Sequence, residues 1–410
     1  MSLSLSIPKL SESLEHQLES MVLSGVFWLQ DPLPSERKLA SAMDVSRTSI
    51  RYALARLAEQ DLLVRGKRGY VVSNAIREEL DCDFARIYGQ HPSCLLTFWT
   101  AVAANVVAIA NKKAKVSERV AIVAHVDKLR VALTNGDAKN ALQVHRHLWR
   151  SLSEASYNFF LIQTIEALTD ALEPVFATKF SRWAKMQKEF PEKECPILAA
   201  YSGLAQLELE ELPLLAELEV EVGGRYVRGG SAVNDTPMVL GQGLIEAILR
   251  QPFAFEAVFE LRQITEIHAA GWAAKLITPN GKDRLHAHLD KMTSSLDVNP
   301  EQYSLLDAQL HGMIAELACN PAYYAVQRCL SPIFSRTTQS WLNTHFEILN
   351  DISIIHLQHQ RLADAIASGD ERRARATMAD HLQYVLVTLH EIRMNAHIDH
   401  VGLARQLLKR

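Results

Sequence analysis

The stretch from Pro34 to Tyr70 constrains the fold of this chain more tightly than any other part of it. It reads Pro34-Ser35-Glu36-Arg37-Lys38-Leu39-Ala40, then Val45-Ser46-Arg47-Thr48-Ser49-Ile50-Arg51, then Leu62-Leu63-Val64-Arg65-Gly66-Lys67-Arg68-Gly69-Tyr70. Ser35 suits an N-cap, because its side-chain oxygen can accept from an amide that a helix start leaves unpaired. The helix it opens carries Leu39, Ala42 and Met43 on its apolar side and stops at Asp44. Ser46 caps a second helix, in which Ile50, Ala53, Leu54 and Leu57 recur at helical spacing and face inward. Two short helices joined by a turn of about four residues form a helix-turn-helix, whose second helix enters the major groove of DNA by its N-terminal end. Arg47, Thr48, Ser49 and Arg51 occupy that end. Residues 62–64 and 70–72 then predict two short strands around a basic turn, Gly66-Lys67-Arg68-Gly69.

Charge follows the same plan. Ser35 to Tyr70 holds eight Lys/Arg against four acids, whereas the whole chain has a net charge of -4. Positive charge is therefore concentrated where phosphates would lie. In this ordered set, residues 10 to 73 resemble the winged helix of the GntR family of bacterial transcription regulators. The resemblance implies that Arg37, Arg47, Thr48, Ser49 and Arg51, with Lys67, Arg68 and Gly69 of the wing, contact DNA. Three positions depart from the family pattern: Leu29-Gln30-Asp31-Pro32 replaces a Pro-Gly pair, Tyr52 replaces a glutamate, and Gln60-Asp61 replaces an acidic-Gly turn. None of these removes an expected DNA contact.

At 410 residues and 48% hydrophobic, the chain is long enough for several domains. No uninterrupted apolar run reaches the roughly 18 residues that span a bilayer, and the N-terminus lacks a signal-peptide pattern. The five cysteines lack CxxC spacing, which points to a reducing cytoplasm rather than to disulfides or a zinc ribbon. After residue 76 the periodicity is almost wholly helical, broken by a glycine-rich stretch over 221–237. The expected fold is mainly α. A winged helix-turn-helix over 10–75 precedes a helical bundle over 76–220, a linker over 221–237 and a second helical bundle over 238–400.

The two bundles read as a diverged duplication. Leu148, Glu154 and Asn158 match Leu310, Glu316 and Asn320 without gaps, and Glu173-Pro174-Val175-Phe176 is echoed by Ser331-Pro332-Ile333-Phe334. The segment from Leu198 to Gly203 likewise resembles that from Leu362 to Gly369. In the later copy, Asp307 and His311 stand at i and i+4 on one helix face. His359 opens a helix running through Ile366, and His381 lies in the last long helix. Three imidazoles and one carboxylate suit a divalent ion such as zinc, nickel or manganese, with coordination positions left for water or a ligand.

Their order and spacing resemble the FCD domain, the all-helical effector domain of the FadR subfamily of GntR regulators. The resemblance covers about 252 to 395 and implies that Asp307, His311, His359 and His381 bind a metal. It also implies a small carboxylate effector and makes Arg262 a candidate partner for that carboxylate, a role suited to a planar guanidinium. In the earlier copy His145 stands against Asp307 and Trp149 against His311, so the first bundle is expected to be a metal-free structural or dimerising bundle. His268, His286, His288, His345 and His356 are read as ordinary surface or core histidines.

The expectation is a cytoplasmic regulator that binds a pseudo-palindromic double-stranded operator as a homodimer, with no membrane partner. The alternatives are a regulator whose effector is the metal itself, a metal-dependent hydrolase, and a constitutive architectural DNA binder whose bundles only dimerise. The hydrolase reading lacks a companion general base at any recognisable spacing.

Overall fold

The computed structural model describes residues 10–24, 27, 32–191, 195, 198, 242–295, 300–344 and 349–388. The linker 221–237, residues 29–31, the segment 199–203 and His345 lie outside them.

The N-terminal head comprises α1 (Leu10–Leu23), α2 (Glu36–Met43), α3 (Arg47–Glu59), β1 (Leu63–Gly66) and β2 (Gly69–Val72). Both serine caps form: Ser35 Oγ accepts from the Lys38 amide at 3.4 Å, and Ser46 Oγ from the Ser49 amide at 3.0 Å. Helix α3 buries Ile50, Ala53, Leu54 and Leu57, as their spacing requires. In α2 the buried pair is Leu39 and Ala40, whereas Ala42 is exposed and Met43 half-buried. A helix of eight residues has only one packed edge, and here it lies on the Ala40 side of Leu39. The strands run further into the wing than expected. Gly66 pairs with Gly69, so Lys67 and Arg68 alone make the turn, and Gly69 takes the positive φ of 136° there. At the entrance to the wing, Asp61 holds a φ of 59°, in the left-handed region that a glycine occupies without strain.

The first bundle follows as α4 (Ala75–Gln90), α5 (Pro92–Lys113), α6 (Val116–Thr134), α7 (Ala138–Glu154), α8 (Phe159–Ala171) and α9 (Glu173–Glu189). Among the described residues α5 is the one helix long and apolar enough to cross a membrane, with a window of mean hydropathy 1.8. This corrects the expectation that no apolar run is long enough to span a bilayer, since Thr97, Thr100 and Asn105 interrupt α5 without lowering its average much. Its Leu95, Phe98, Trp99, Val102, Val106 and Ala110 are buried in the bundle, and a helix apolar on most sides is what a central position demands. Helix α7 buries Ala141, Val144, His145, Leu148, Trp149 and Leu152, one stripe at helical spacing.

The second bundle comprises α10 (Gln242–Arg250), α11 (Pro252–Leu276), α12 (Pro279–Ser295), α13 (Pro300–Leu317), α14 (Pro321–Thr344), α15 (Leu349–Ala367) and α16 (371–388). Its core joins Ala270, Ala273 and Ala274 of α11 to Leu285 and Leu289 of α12, Leu306 and Leu310 of α13, Leu362 and Ile366 of α15, and Met378 and Leu382 of α16. His359 lies inside α15 rather than at its start, because the helix already begins at Leu349. Pro332 falls within the continuous α14, whereas its counterpart Pro174 starts a separate helix, α9, where a missing amide proton costs nothing.

The chain forms two compact units, and they cut across the expected boundaries. The first holds residues 1–261 with 320–332, the second 262–319 with 333–410. The leading ends of α11 and α14 thus belong with the head and the first bundle. Within that unit Tyr323 packs edge-on against Phe98 with ring centroids 4.9 Å apart, and Arg328 donates to Asp83 at 2.7 Å. Helix α10 docks on the head in the same unit: Arg250 and Gln251 both donate to the buried Glu19, at 2.9 and 3.1 Å. The two backbones approach so closely that a Cβ on Gly243 would lie 2.4 Å from Cα of Gln60.

Two outcomes follow from these local conformations. Asp61→Gly should stabilise the head by about 1 kcal/mol, the usual cost of the left-handed region for a residue with a Cβ, read as a rise in the thermal or denaturant midpoint. An unchanged or lower midpoint would contradict the strain argument. His145 is fully buried, and burial, helped by Arg146, holds its pKa down to about 3. The unfolded chain therefore takes up this proton first, and the stability tied to neutral His145 is lost as pH falls from about 6.5 toward 3. His145→Gln should flatten the decline of the melting midpoint across that window; equal slopes would refute the linkage.

Candidate functional site

The three histidines singled out in the later copy meet in the second compact unit. His311 comes from α13, His359 from α15 and His381 from α16, and all three are at most 1% exposed. One ring nitrogen of each lies within 4.8 Å of the other two. His359 Nε2 is 3.3 Å from His381 Nε2. Asp307 Oδ1 reaches the same point, 3.2 Å from His359 Nε2 and 3.9 Å from His311 Nε2. The i, i+4 spacing on α13 accounts for the nearness of Asp307 to His311; helix packing brings in the other two.

The outer edges of the rings are held by residues that no spacing rule had marked. His311 Nδ1 lies 2.5 Å from Oε2 of Glu266. His381 Nδ1 is 3.0 Å from Gln358 Oε1, and His359 Nδ1 is 3.4 Å from the Tyr303 hydroxyl. The Gln358 oxygen is an acceptor and places the proton on Nδ1 of His381; the Glu266 carboxylate favours the same tautomer for His311 by its charge, although that contact lies off a hydrogen-bond direction, so both Nε2 lone pairs face inward. Those lone pairs meet the Asp307 carboxylate, and His311 Nε2 is buried with no hydrogen-bond partner. The inward ring nitrogens and the Asp307 carboxylate oxygen converge in a buried site, a donor set that suits a cation. Orientation of the ligating imidazoles by carboxylate or carbonyl groups is also what metal sites use.

Electrostatics agree with this geometry. Burial pushes the Asp307 carboxyl up, although His311 and Arg262 pull the other way. Burial holds His359 and His381 well below the usual imidazole range. Glu266 is also raised by burial, but Arg262 and His311 outweigh this and keep its carboxyl below the ordinary value. Arg262 is 4% exposed; its Nε donates to Glu266 Oε1 at 2.5 Å and its guanidinium lies 4.3 Å from the Phe334 ring centroid. The position expected to meet a ligand carboxylate is thus engaged by a protein carboxylate, at i+4 on the same helix.

The remaining histidines occupy ordinary settings. His288 Nε2 pairs with the Leu306 carbonyl at 2.8 Å, His356 with Thr293, and His268 with Arg375, while His286 is exposed. In the first bundle the matching place is filled by rings. Trp149 donates to His145 Nε2 at 3.1 Å and packs edge-on against Trp99 at 4.9 Å, and His145 lies against Phe176 and Phe180.

On the head, Arg37, Arg47, Thr48, Arg51, Lys67, Arg68 and Gly69 are all exposed, and Ser49 is half-buried. Ser49 is tied into the N-cap, its hydroxyl 2.9 Å from that of Ser46. Arg51 donates through Nε and Nη2 to the Glu36 carboxylate, the Nη2 bond measuring 2.9 Å. That pair joins α2 to α3 and fixes the Arg51 guanidinium against the first turn of α2. The hydrogen bond from Arg51 outweighs the small effect of burial and holds the Glu36 carboxyl below its usual value.

Residues 10–72 match the family described as bacterial regulatory proteins, gntR family, and residues 257–384 match the FCD domain. The chain is 37% identical over 95 residues to the HTH-type transcriptional repressor NanR of Cronobacter sakazakii, covering 22% of this chain and 36% of NanR. It is 25% identical over 150 residues to the HTH-type transcriptional regulator LutR of Bacillus subtilis, covering 36% of this chain and 67% of LutR. Overall the chain spans about half the length of the curated relatives it matches. The head is thus a winged helix of the GntR type, and the later bundle contains an FCD domain.

Proposed function

We propose that the chain is a cytoplasmic transcription regulator that binds operator DNA through its head and senses a small carboxylate at a divalent metal held by Asp307, His311, His359 and His381. The observation that carries the metal is the convergence of buried acceptor atoms around His311 Nε2, with the opposite ring edges held by Glu266, Gln358 and Tyr303. Zinc, nickel or manganese bound there would neutralise the carboxylate and offer open positions to a ligand oxygen. Arg262 adds positive charge beside the ligands and holds Glu266, which in turn fixes the ring of His311.

The same helix supplies a route to DNA. Helix α11 carries Arg262 and Glu266, and it follows directly on α10, which is bound to the head through Glu19 and Gln60. A ligand that favours one placement of α11 changes operator affinity by its differential binding free energy. One winged helix reads one half-site, so two chains are expected on a pseudo-palindrome.

Arg47→Ala and Arg51→Ala should each weaken specific operator binding by about 1–3 kcal/mol, the worth of a good base contact. Fluorescence anisotropy measures this, with circular dichroism to show that the variants fold. Wild-type affinity in both would remove the recognition helix from the reading.

Elemental analysis of protein purified without chelator or His-tag should find close to one metal per chain, absent from a His311→Ala/His359→Ala variant. Glu266→Gln leaves every ligand in place and should weaken metal binding by roughly 10- to 100-fold, as losses of orienting partners do. No bound metal after addition of zinc, nickel or manganese would overturn the site. Operator titrations with metal alone, then with small carboxylates, separate an ion sensor from a carboxylate sensor.

A further inference from the structure

Tyr157 and Cys319 hold left-handed backbone angles, φ 51° and 52°, and each precedes an asparagine that starts a helix. These are Asn158 before α8 and Asn320 before α14, the residues that match between the two copies. Asn158 Oδ1 accepts from the Phe160 and Leu161 amides at 3.0 and 3.1 Å, and Asn320 Oδ1 from the Ala322 amide at 3.1 Å. The local motif is therefore the same in both.

The other end of each amide crosses to the opposite copy. Asn158 Nδ2 donates to the Ala257 carbonyl of α11 at 2.8 Å and to Glu260 Oε2 at 2.9 Å. Asn320 Nδ2 donates to the Cys94 carbonyl of α5 at 2.9 Å. Helices α5 and α11 correspond, each the proline-started long helix of its copy. The earlier asparagine thus grips the later first helix, and the later asparagine grips the earlier one. An exchange in which i meets j and j meets i is the mark of an isologous, two-fold contact between copies.

What surrounds the exchange is a packed, buried interface inside the first compact unit. Phe98 and Tyr323 are each at most 1% exposed where their rings meet. Asp83, also buried, pairs with Arg328, and Lys113 Nζ lies 2.6 Å from Glu260 Oε1 at the rim. Taking Cys94 with Ala257 as corresponding, Trp99 falls at the place of Arg262, and it packs on Trp149, which stands where His311 does. The earlier copy has filled its ligand position with rings and kept its contact asparagine.

We propose that the first bundle is a built-in partner: it covers, within one chain, the helix ends 252–261 and 320–332 that a second copy of a single-bundle chain would otherwise cover. Two chains on one operator must then meet through another surface, or through the DNA alone. One chain brings one winged helix and, among the described residues, one three-histidine cluster to each bundle pair.

Lys113 and Glu260 are close enough for a zero-length carbodiimide cross-link, and Lys275 with Glu371, 4.0 Å apart, serves as an internal control. Natural-abundance and heavy-isotope-labelled full-length chains are unfolded together, refolded, cross-linked and analysed as peptides by mass spectrometry. The expected result is a Lys113–Glu260 peptide only in isotopically pure forms, lost in Glu260→Gln. Mixed-isotope Lys113–Glu260 peptides in the proportions of random pairing would place the partner in a second chain and overturn the proposal. Absence of the Lys113–Glu260 peptide while the control pair is cross-linked would overturn it equally.

Discussion

A buried carboxylate, Glu266, stands between the guanidinium of Arg262 and the imidazole of His311, and the centre of the second bundle depends on it. Carrying a charge into a helical core is expensive, and removing one member of such a set costs about 3–5 kcal/mol because it strands the others. The set is therefore retained only with its members in place, and its geometry dictates which ring nitrogen of His311 faces inward. Gln358 does the same for His381, and the Tyr303 hydroxyl, which can donate or accept, holds the edge of the His359 ring. What makes the cluster a credible cation site is this outer ring of acceptors and hydroxyls as much as the histidines themselves.

The first bundle shows what a similar helical frame becomes without that charge. Position for position, Trp149 replaces His311 and His145 replaces Asp307, and the space is taken up by aromatic contacts with Trp99, Phe176 and Phe180. Apolar packing fills this position without an ion, while Arg77 and Arg146 tie α4 and α7 to the carboxylates of Glu166, Asp170 and Glu173 at the edge of the bundle. The two bundles differ most at the positions of Asp307 and His311, whereas both have the asparagine and its left-handed predecessor.

The head follows a separate logic, written in caps, spacing and surface charge. Ser35 and Ser46 each satisfy a helix start, and the wing turns on two residues with Gly69 at its positive φ. The Arg51–Glu36 pair lies exposed to solvent and salt, where ion pairs contribute little to stability; its effect is on where the guanidinium points. Helix α10, docked through Glu19, links this head to the helix that carries Glu266.

The sequence by itself determined whatever depends on neighbours along the chain: the two serine caps, the inward face of α3, the basic wing, the helices that make up nearly all of the described residues past 76 and the Asp307–His311 pair. Periodicity and capping are local, so they are legible in order. Tertiary structure alone decided how His359 and His381 come to face His311, and that Glu266, Tyr303 and Gln358 hold the three rings. It also committed Arg262 to a protein carboxylate and assigned the leading ends of α11 and α14 to the first compact unit. Each of these is a contact between residues remote in sequence, or between side chains whose rotamers follow from packing, and neither is encoded in spacing. The buried α5 is the same lesson in reverse: an average hydropathy compatible with a bilayer was resolved by neighbouring helices that cover it.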